Sequence, residues 1–225
     1  MKSETKFLNC KINLSKKVFQ PRIETAFWVG KAIKEIKQKA HCSHTATNKK
    51  PTVHTQQETR ILDIFAGSGC IGIAILKSID NSAVDFVDID KEALEQIKIN
   101  LKINKIPKNR YRIFQSDLFE KLKREKFDFI FANPPYIALN RISEVETEVL
   151  EKEPHLALLG GEKGMDYIKK FFSQAKKHLN PKARIFLEFD PLQKEEIEEI
   201  LRKNKYRNWQ FQKDQYRKWR YLMIK

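Results

Sequence analysis

The sequence predicts an α/β fold: a doubly wound, mostly parallel sheet of seven strands with an antiparallel hairpin at its C-terminal end. Between residues 61 and 189, five short runs rich in Ile, Val and Phe alternate with helical patterns, which is typical of a parallel sheet covered by helices. Residues 202–225 alternate aromatic and basic side chains, and this predicts two edge strands with one solvated face.

The composition favours a single α/β domain in a reducing compartment. A chain of 225 residues with 41% hydrophobic residues can build a full core. No apolar run approaches the ~20 residues of a membrane span, no signal-peptide pattern is present, and three scattered cysteines give no disulfide framework. We therefore expect a monomeric, cytoplasmic protein with no membrane partner. The formal net charge of +15 permits nucleic-acid binding without requiring it, because lysines occur in almost every segment.

The chain divides into three segments. Residues 1–40 hold a short hairpin and an amphipathic helix, indicated by Val29, Ala32, Ile33 and Ile36 at helical spacing. Residues 41–59 form a polar loop without periodicity, and residues 60–225 form the main domain. The polar loop contains three histidines and a cysteine without a recognised ligand spacing, so no metal site is predicted. These four residues are His41, Cys42, His44 and His54.

The elements of the main domain follow in order. Strands are predicted at 61–65, 84–89, 111–115, 127–132 and 183–189, before the closing pair. A mostly apolar helix follows the first strand, and Asp90 caps the helix after the second. A further helix begins at Met165 and stops at Asn180-Pro181, and the last one carries Ile197, Ile200 and Leu201 on its inner face.

Polar residues follow each of the first four strands of the main domain. Gly67-x-Gly69-x-x-Gly72 follows the first strand, and Asp88 ends the second. A glycine run with an acid about 20 residues on is compatible with nicotinamide as well as S-adenosylmethionine. Asp63 inside the first strand can brace the glycine loop or lie near the ammonium group of the cofactor, and Asp117 can bind an adenine amino group. Together these features favour methyl transfer over a nicotinamide oxidoreductase.

Asn133-Pro134-Pro135-Tyr136 closes the fourth strand with a stiff turn. Its side-chain amide and donor-free carbonyls can accept the N–H protons of a planar amide or amine, and the tyrosine ring can pack on the plane of that group. The alternative is a rigid loop whose asparagine caps its own turn.

These motifs resemble the protein-glutamine methyltransferases that modify peptide chain release factors. The resemblance runs from about residue 19 to residue 220. It includes the P-R-x-E-T motif at Pro21, the cofactor loop, the Asn-Pro-Pro-Tyr turn and the block from Glu153-Pro154 through Gly160-Gly161 to Gly164. It also includes Asp214 with Arg220. The chain departs from the family pattern at Phe65, at Asp190, and in having only about 20 residues where bacterial members usually carry an N-terminal helical domain.

The resemblance implies a class I S-adenosylmethionine-dependent methyltransferase fold over residues 60–225, with S-adenosylmethionine as cofactor and a release factor as partner. It implies catalytic roles for Asn133, Pro134, Pro135 and Tyr136. The implied cofactor-binding residues are Asp63, Phe65, Ala66, Gly67, Ser68, Gly69, Asp88, Asp117, Leu118 and Asn133.

Other activities remain open from the sequence alone. A nucleic-acid methyltransferase acting on an exocyclic amine could use the same turn and the basic charge, although such enzymes do not typically carry the Glu153–Gly164 block. A ribosomal-protein glutamine methyltransferase and a non-enzymatic cofactor- or RNA-binding module are the other candidates.

Overall fold

The computed structural model describes residues 4–42 and 58–225. Most of the predicted polar loop, with His44 and His54, lies outside these residues. At the N-terminus β1 (Glu4–Phe7) and β2 (Cys10–Asn13) pair as an antiparallel hairpin, and α1 (Ile23–Cys42) follows.

The remaining strands form one seven-stranded sheet, as the sequence predicts. They are β3 (Thr59–Ile64), β4 (Ser82–Asp88), β5 (Tyr111–Gln115), β6 (Phe127–Ala132), β7 (Leu179–Glu188), β8 (Trp209–Lys213) and β9 (Trp219–Ile224). Their spatial order is β5-β4-β3-β6-β7-β9-β8. The first five strands in this order are parallel, and β9 runs antiparallel between β7 and β8.

Helices cover both faces of this sheet. Besides α1, the α-helices of the described chain are α2 (Cys70–Ser78), α3 (Lys91–Ile103), α4 (Thr147–Lys152), α5 (His155–Leu158), α6 (Asp166–Ala175) and α7 (Lys194–Lys203). Consecutive side chains of a strand point to opposite faces, and accordingly Ile130 and Phe131 of β6 belong to two separate apolar clusters. Both faces of the central strands β3, β4 and β6 are therefore buried, which explains why these strands read as nearly continuous apolar runs.

The boundary between α6 and β7 differs from the prediction. The helix ends at Ala175, a 3₁₀ turn spans Lys176–His178, and β7 begins at Leu179, which pairs with Phe127. The predicted helix end at Asn180 was therefore wrong. Pro181 lies inside the strand, where it cannot donate a ladder hydrogen bond, and the register with β6 shifts between the Phe127 and Phe129 pairs.

The order of the strands fixes where a ligand can bind. β3 lies between β4 and β6, so the chain changes direction across the sheet at β3 and β6. Open α/β sheets bind ligands in the crevice outside the carboxyl ends of such strands. Within residues 4–42 and 58–225, no helix is long and apolar enough to cross a membrane.

Candidate active site

The loop after β3 forms the base of a cleft and requires an unusual backbone. Gly67 and Gly69 have φ values of 53° and 75°, which glycine adopts without steric cost. Phe65 has a φ of 61°, a left-handed conformation that costs an L-residue about 1–2 kcal/mol. This explains why glycine is common at the position that Phe65 occupies in the resembled family. The phenylalanine ring packs edge-on against Tyr167, with centroids 6.0 Å apart.

Two aspartate side chains hold this loop in place. Asp63 Oδ2 accepts a hydrogen bond of 2.8 Å from the Gly72 N–H, and burial raises the pKa of Asp63 to about 8. Asp88 accepts 2.8 Å and 3.0 Å hydrogen bonds from the N–H groups of Gly67 and Asp90. Burial also raises the pKa of Asp88. Of the two roles predicted for Asp63, the geometry favours bracing the loop.

A cleft of about 910 Å³, including solvent at its mouth, opens above the loop. Its wall contains predicted cofactor-binding residues that lie at or just after the ends of β3, β4, β5 and β6. They are Phe65, Ala66, Gly67, Ser68, Asp88, Asp117, Leu118 and Asn133. Two predicted residues, Asp63 and Gly69, do not line the cleft but shape the loop behind its wall. The wall also includes residues that were not predicted from the sequence, among them Val18, Phe19, Ile89 and Tyr167.

The chemistry of the cleft fits S-adenosylmethionine. The Asp88 carboxylate at the end of β4 can accept hydrogen bonds from ribose hydroxyls, and Asp117 can accept one from the adenine amino group. Apolar side chains such as Leu118 and Ile89 offer surface for the adenine ring. Among the described residues, no three His, Cys, Asp or Glu side chains converge to hold a metal ion.

A second cavity of about 810 Å³ adjoins the first. Phe19, Asn133 and Ala157 line both cavities. The second is otherwise lined by Arg22, Pro134, Tyr136, Ile137, Val145, Glu146, Val149 and Leu158. Asn133 therefore stands at the junction between a cleft that fits the cofactor and a cavity open to another ligand.

The polar groups of the turn are free at this junction. In the part of the chain that the structure describes, the Asn133 side chain and the Pro134 carbonyl make no hydrogen bond. The asparagine therefore does not cap its own turn, which was the alternative interpretation. The amide oxygen and the carbonyl oxygen remain available to accept hydrogen bonds from a ligand.

The glycines of the 153–164 block press against the turn. A Cβ on Gly160 would lie 2.5 Å from the Pro135 carbonyl oxygen, and one on Gly164 would lie 2.2 Å from that of Tyr136. Gln193 Nε2 donates to the Tyr136 carbonyl at 3.0 Å and to the Gly164 carbonyl at 2.9 Å. The block is thus part of the same site, because only glycine allows the two backbones to approach so closely.

Glu188, at the end of β7, joins the turn to α1. Its Oε1 accepts from the Tyr136 hydroxyl at 3.1 Å, and its Oε2 accepts from Thr25 Oγ1 at 2.7 Å and Trp28 Nε1 at 2.6 Å. Burial raises the pKa of Glu188. Sequence reasoning missed this residue; its one signal was a lone acid at the end of an apolar strand.

Two ion pairs hold residues of these motifs in place. Arg22 of the P-R-x-E-T motif pairs with the buried Glu153 of the Glu-Pro block. Arg220 pairs with the buried Asp214 at 3.1 Å across the β8–β9 turn. The P-R-x-E-T motif and the Glu-Pro block are therefore in direct contact in the fold.

Comparisons with known proteins identify the family of the chain. The family model described as "Methyltransferase small domain" matches residues 50–162, about half of the chain. The bifunctional methyltransferase of Rickettsia typhi is 33% identical over 189 residues, which are 84% of this chain and 36% of that protein. The release factor glutamine methyltransferase of Rhodopirellula baltica is 35% identical over 187 residues, which are 83% of this chain and 58% of that protein. The chain therefore spans less than two thirds of the length of these curated relatives.

A solved structure agrees at the level of the fold. The ribosomal protein L11 methylase from Lactobacillus delbrueckii subsp. bulgaricus superimposes with a TM-score of 0.59 at 20% identity. The match covers 92% of this chain and 80% of that one. From the family match, its relatives and this cleft, the chain belongs to the methyltransferase small domain family, uses S-adenosylmethionine as methyl donor and is homologous to the release factor glutamine methyltransferases.

Proposed function

We propose that the chain methylates the side-chain amide nitrogen of a glutamine in a peptide chain release factor. The observation that carries this proposal is the position of Asn133, which lies between the two cavities with no hydrogen-bond partner for its side chain in the described chain. A glutamine amide has two N–H protons, and the Asn133 oxygen and the Pro134 carbonyl offer two acceptors.

The role of these acceptors follows from the chemistry of an amide. An amide nitrogen is a poor nucleophile because its lone pair is delocalised into the carbonyl. Two acceptors on its N–H protons orient the nitrogen and stabilise the positive charge that develops as it attacks. Pro134 and Pro135 have fixed φ and keep the acceptors from moving. Such positioning is worth about 7–11 kcal/mol in well-oriented systems.

The rest of the site orients the reactants. S-adenosylmethionine, when bound, supplies an electrophilic methyl group, and the 65–68 loop, Asp88 and Asp117 are the residues that would hold it. The Tyr136 ring would pack on the plane of the acceptor amide, with its hydroxyl fixed by Glu188. No side chain need act as a base before transfer, since the nitrogen loses its proton readily once it is methylated and positively charged.

A protein glutamine is favoured as acceptor over a nucleic-acid base by two observations. The relative from Rhodopirellula baltica is named a release factor glutamine methyltransferase. The glycines Gly160 and Gly164 of the block that sets those enzymes apart pack directly on the turn. Release factors act with the ribosome, so the proposed place of action is the cytoplasm.

Labelled S-adenosylmethionine tests this proposal. The chain is incubated with a purified release factor and, separately, with ribosomal RNA, and the labelled residue is located by mass spectrometry. We expect label on one glutamine side chain of the factor. Label on RNA alone, or on a residue of the factor other than glutamine, would contradict the proposal.

A further inference from the structure

Large exposed hydrophobic side chains lie at one end of the molecule. The described part of the chain has six of them, which we call the apolar rim: Ile23, Ile89, Leu139, Leu156, Leu192 and Tyr216. Single exposed hydrophobics are ordinary on a protein surface, but a group of them around one site marks an interaction surface.

The position of each rim residue follows from the topology. Ile89 directly follows β4, Leu192 follows β7, and Leu139 follows the turn after β6. Because β9 is antiparallel to β7 and Tyr221 pairs with Glu188, the β8–β9 turn with Tyr216 lies at the same edge of the sheet. Ile23 and Leu156 belong to the segments that supply Pro21, Arg22 and Ala157 to the two cavities. All six rim residues therefore lie at the edge of the sheet where the cavities open, and Ile89 and Leu156 line the first cavity itself.

The opposite end of the sheet has a different chemistry. At the amino ends of β3, β4 and β5, Arg112 pairs with Asp85 at 2.6 Å and Arg60 pairs with Glu125 at 2.7 Å. Exposed apolar side chains are thus concentrated at the edge of the sheet that carries the site. Three of them, Leu139, Leu192 and Tyr216, line neither cavity, so binding of a small cofactor does not explain their exposure.

Three of the rim residues stand on segments that are held in place. Arg141, two residues after Leu139, pairs with Asp190, two residues before Leu192, at 3.5 Å. Asp214 accepts hydrogen bonds of 2.9 Å and 3.0 Å from the N–H groups of Tyr216 and Lys218. A preformed surface loses less entropy on binding than a flexible one. Leu139, Leu192 and Tyr216 remain 47%, 74% and 57% exposed on these segments.

The charge around the second cavity, which we call the acceptor cavity because it would hold the acceptor glutamine, indicates the chemistry of the partner. Residues 139–152 carry four exposed glutamates but only two basic residues, in a chain whose formal net charge is +15. Glu146 lines the acceptor cavity itself and has no ion-pair partner among the described residues. Beside this acidic segment, a protein surface with basic and apolar side chains is more complementary than a phosphate group.

We propose that the apolar rim is the docking surface for the methyl-accepting protein, which presents apolar and basic side chains around its target residue. The inference rests on the proposed function, because it takes the acceptor to be part of a folded protein. Docking on the rim would also bring a glutamine of the partner to Asn133.

The test uses two matched double variants of the full chain. Leu139→Ser with Leu192→Ser removes apolar surface, and Leu139→Met with Leu192→Met retains it. Methylation of a purified release factor is followed at varied factor and S-adenosylmethionine concentrations. We expect the Ser variant to raise the KM for the factor about tenfold or more. We expect its kcat, its KM for S-adenosylmethionine and its thermal stability to stay native, and the Met variant to match the native chain throughout.

The outcomes separate this inference from the proposed function. If the native chain transfers no methyl group to glutamine, the proposed function fails. If it does so and the Ser variant keeps the native KM for the factor, the docking role is wrong. The docking role is also wrong if the Met variant raises the KM for the factor as much as the Ser variant does, or if the Ser variant raises the KM for S-adenosylmethionine by the same factor. Weakened binding of ribosomal RNA with unchanged binding of the factor would assign the rim to a nucleic acid instead.

Discussion

Replacing Gly164 by alanine should disturb the Asn133–Tyr136 turn while leaving the cofactor cleft intact. The new Cβ would lie 2.2 Å from the Tyr136 carbonyl oxygen and 2.9 Å from Gln193 Nε2, at a φ of 73°. The left-handed conformation costs about 1–2 kcal/mol, overpacking about 1–3 kcal/mol and a weakened hydrogen bond about 1 kcal/mol. The free energy of unfolding should therefore fall by on the order of 4 kcal/mol.

The effect on activity should be selective. Gly164 does not line the cofactor cleft, so the affinity for S-adenosylmethionine should be retained at a temperature where the variant is folded. Displacement of the turn by about 1 Å should lower the methyl-transfer rate by about 100-fold. Urea unfolding, calorimetric titration of the cofactor and single-turnover kinetics measure the three quantities.

Gly30→Ala is the matched control. Gly30 lies inside α1, and a Cβ there would meet only the Leu8 side chain at 3.4 Å, an ordinary contact. Alanine is the better helix former by about 1 kcal/mol, so this variant should be at least as stable as the native chain and fully active. A Gly164→Ala variant that behaves like Gly30→Ala would refute the close packing of the 153–164 block on the turn.

Three further predictions concern buried polar groups. For Asp63, a folded-state pKa of about 8 means that the native state keeps a proton which the unfolded chain loses near pH 4. The free energy of unfolding should therefore fall as pH rises from about 4 to about 8, by up to about 1.4 kcal/mol per pH unit, and Asp63→Asn should remove this slope. Asp88→Ala should weaken S-adenosylmethionine binding about tenfold or more in a calorimetric titration, because ribose hydroxyls lose their acceptor. Tyr136→Phe should lower the free energy of unfolding by about 1–3 kcal/mol, because Glu188 Oε1 loses its donor, with cofactor affinity unchanged.

Each of these has a contrary result. Parallel pH profiles for the native chain and Asp63→Asn would show that Asp63 is ionised in the fold at neutral pH. An unchanged dissociation constant for Asp88→Ala would remove its ribose assignment. A Tyr136→Phe variant as stable as the native chain would show that the hydroxyl does not satisfy Glu188.

Local patterns in the sequence were enough to predict most strands of the sheet. β5 and β6 begin and end where the sequence predicts, and in β6 the apolar run coincides with the buried residues. The start of β7 was missed because Leu179 fits the apolar face of α6, whereas pairing with Phe127 draws it into the sheet. A contact between residues about 50 positions apart in the chain leaves no mark on local periodicity.

The site residues that belong to sequence motifs were predictable. The residues that support the site only through packing were not. The Asn133 turn and Asp88 stand out as polar residues at strand ends. Asn100 gave no such signal, yet it is buried and links the N-terminal segment to the cofactor loop. Its side chain donates to the Ser68 carbonyl at 2.9 Å and accepts from the Asn13 N–H at 2.8 Å. From the sequence alone, an asparagine side chain on a helix is expected to face solvent, and only the structure shows which segment covers it.

The central claim is that Asn133 presents a glutamine amide to the methyl donor. Its most direct test compares Asn133→Ala with Asn140→Ala, a change at an exposed asparagine seven residues further along the chain. Single-turnover methylation of a release factor is measured at saturating S-adenosylmethionine, with cofactor affinity determined separately. We predict that Asn133→Ala abolishes glutamine methylation while it binds the cofactor, and that Asn140→Ala retains the native rate. Glutamine methylation at the native rate by Asn133→Ala would contradict the mechanism.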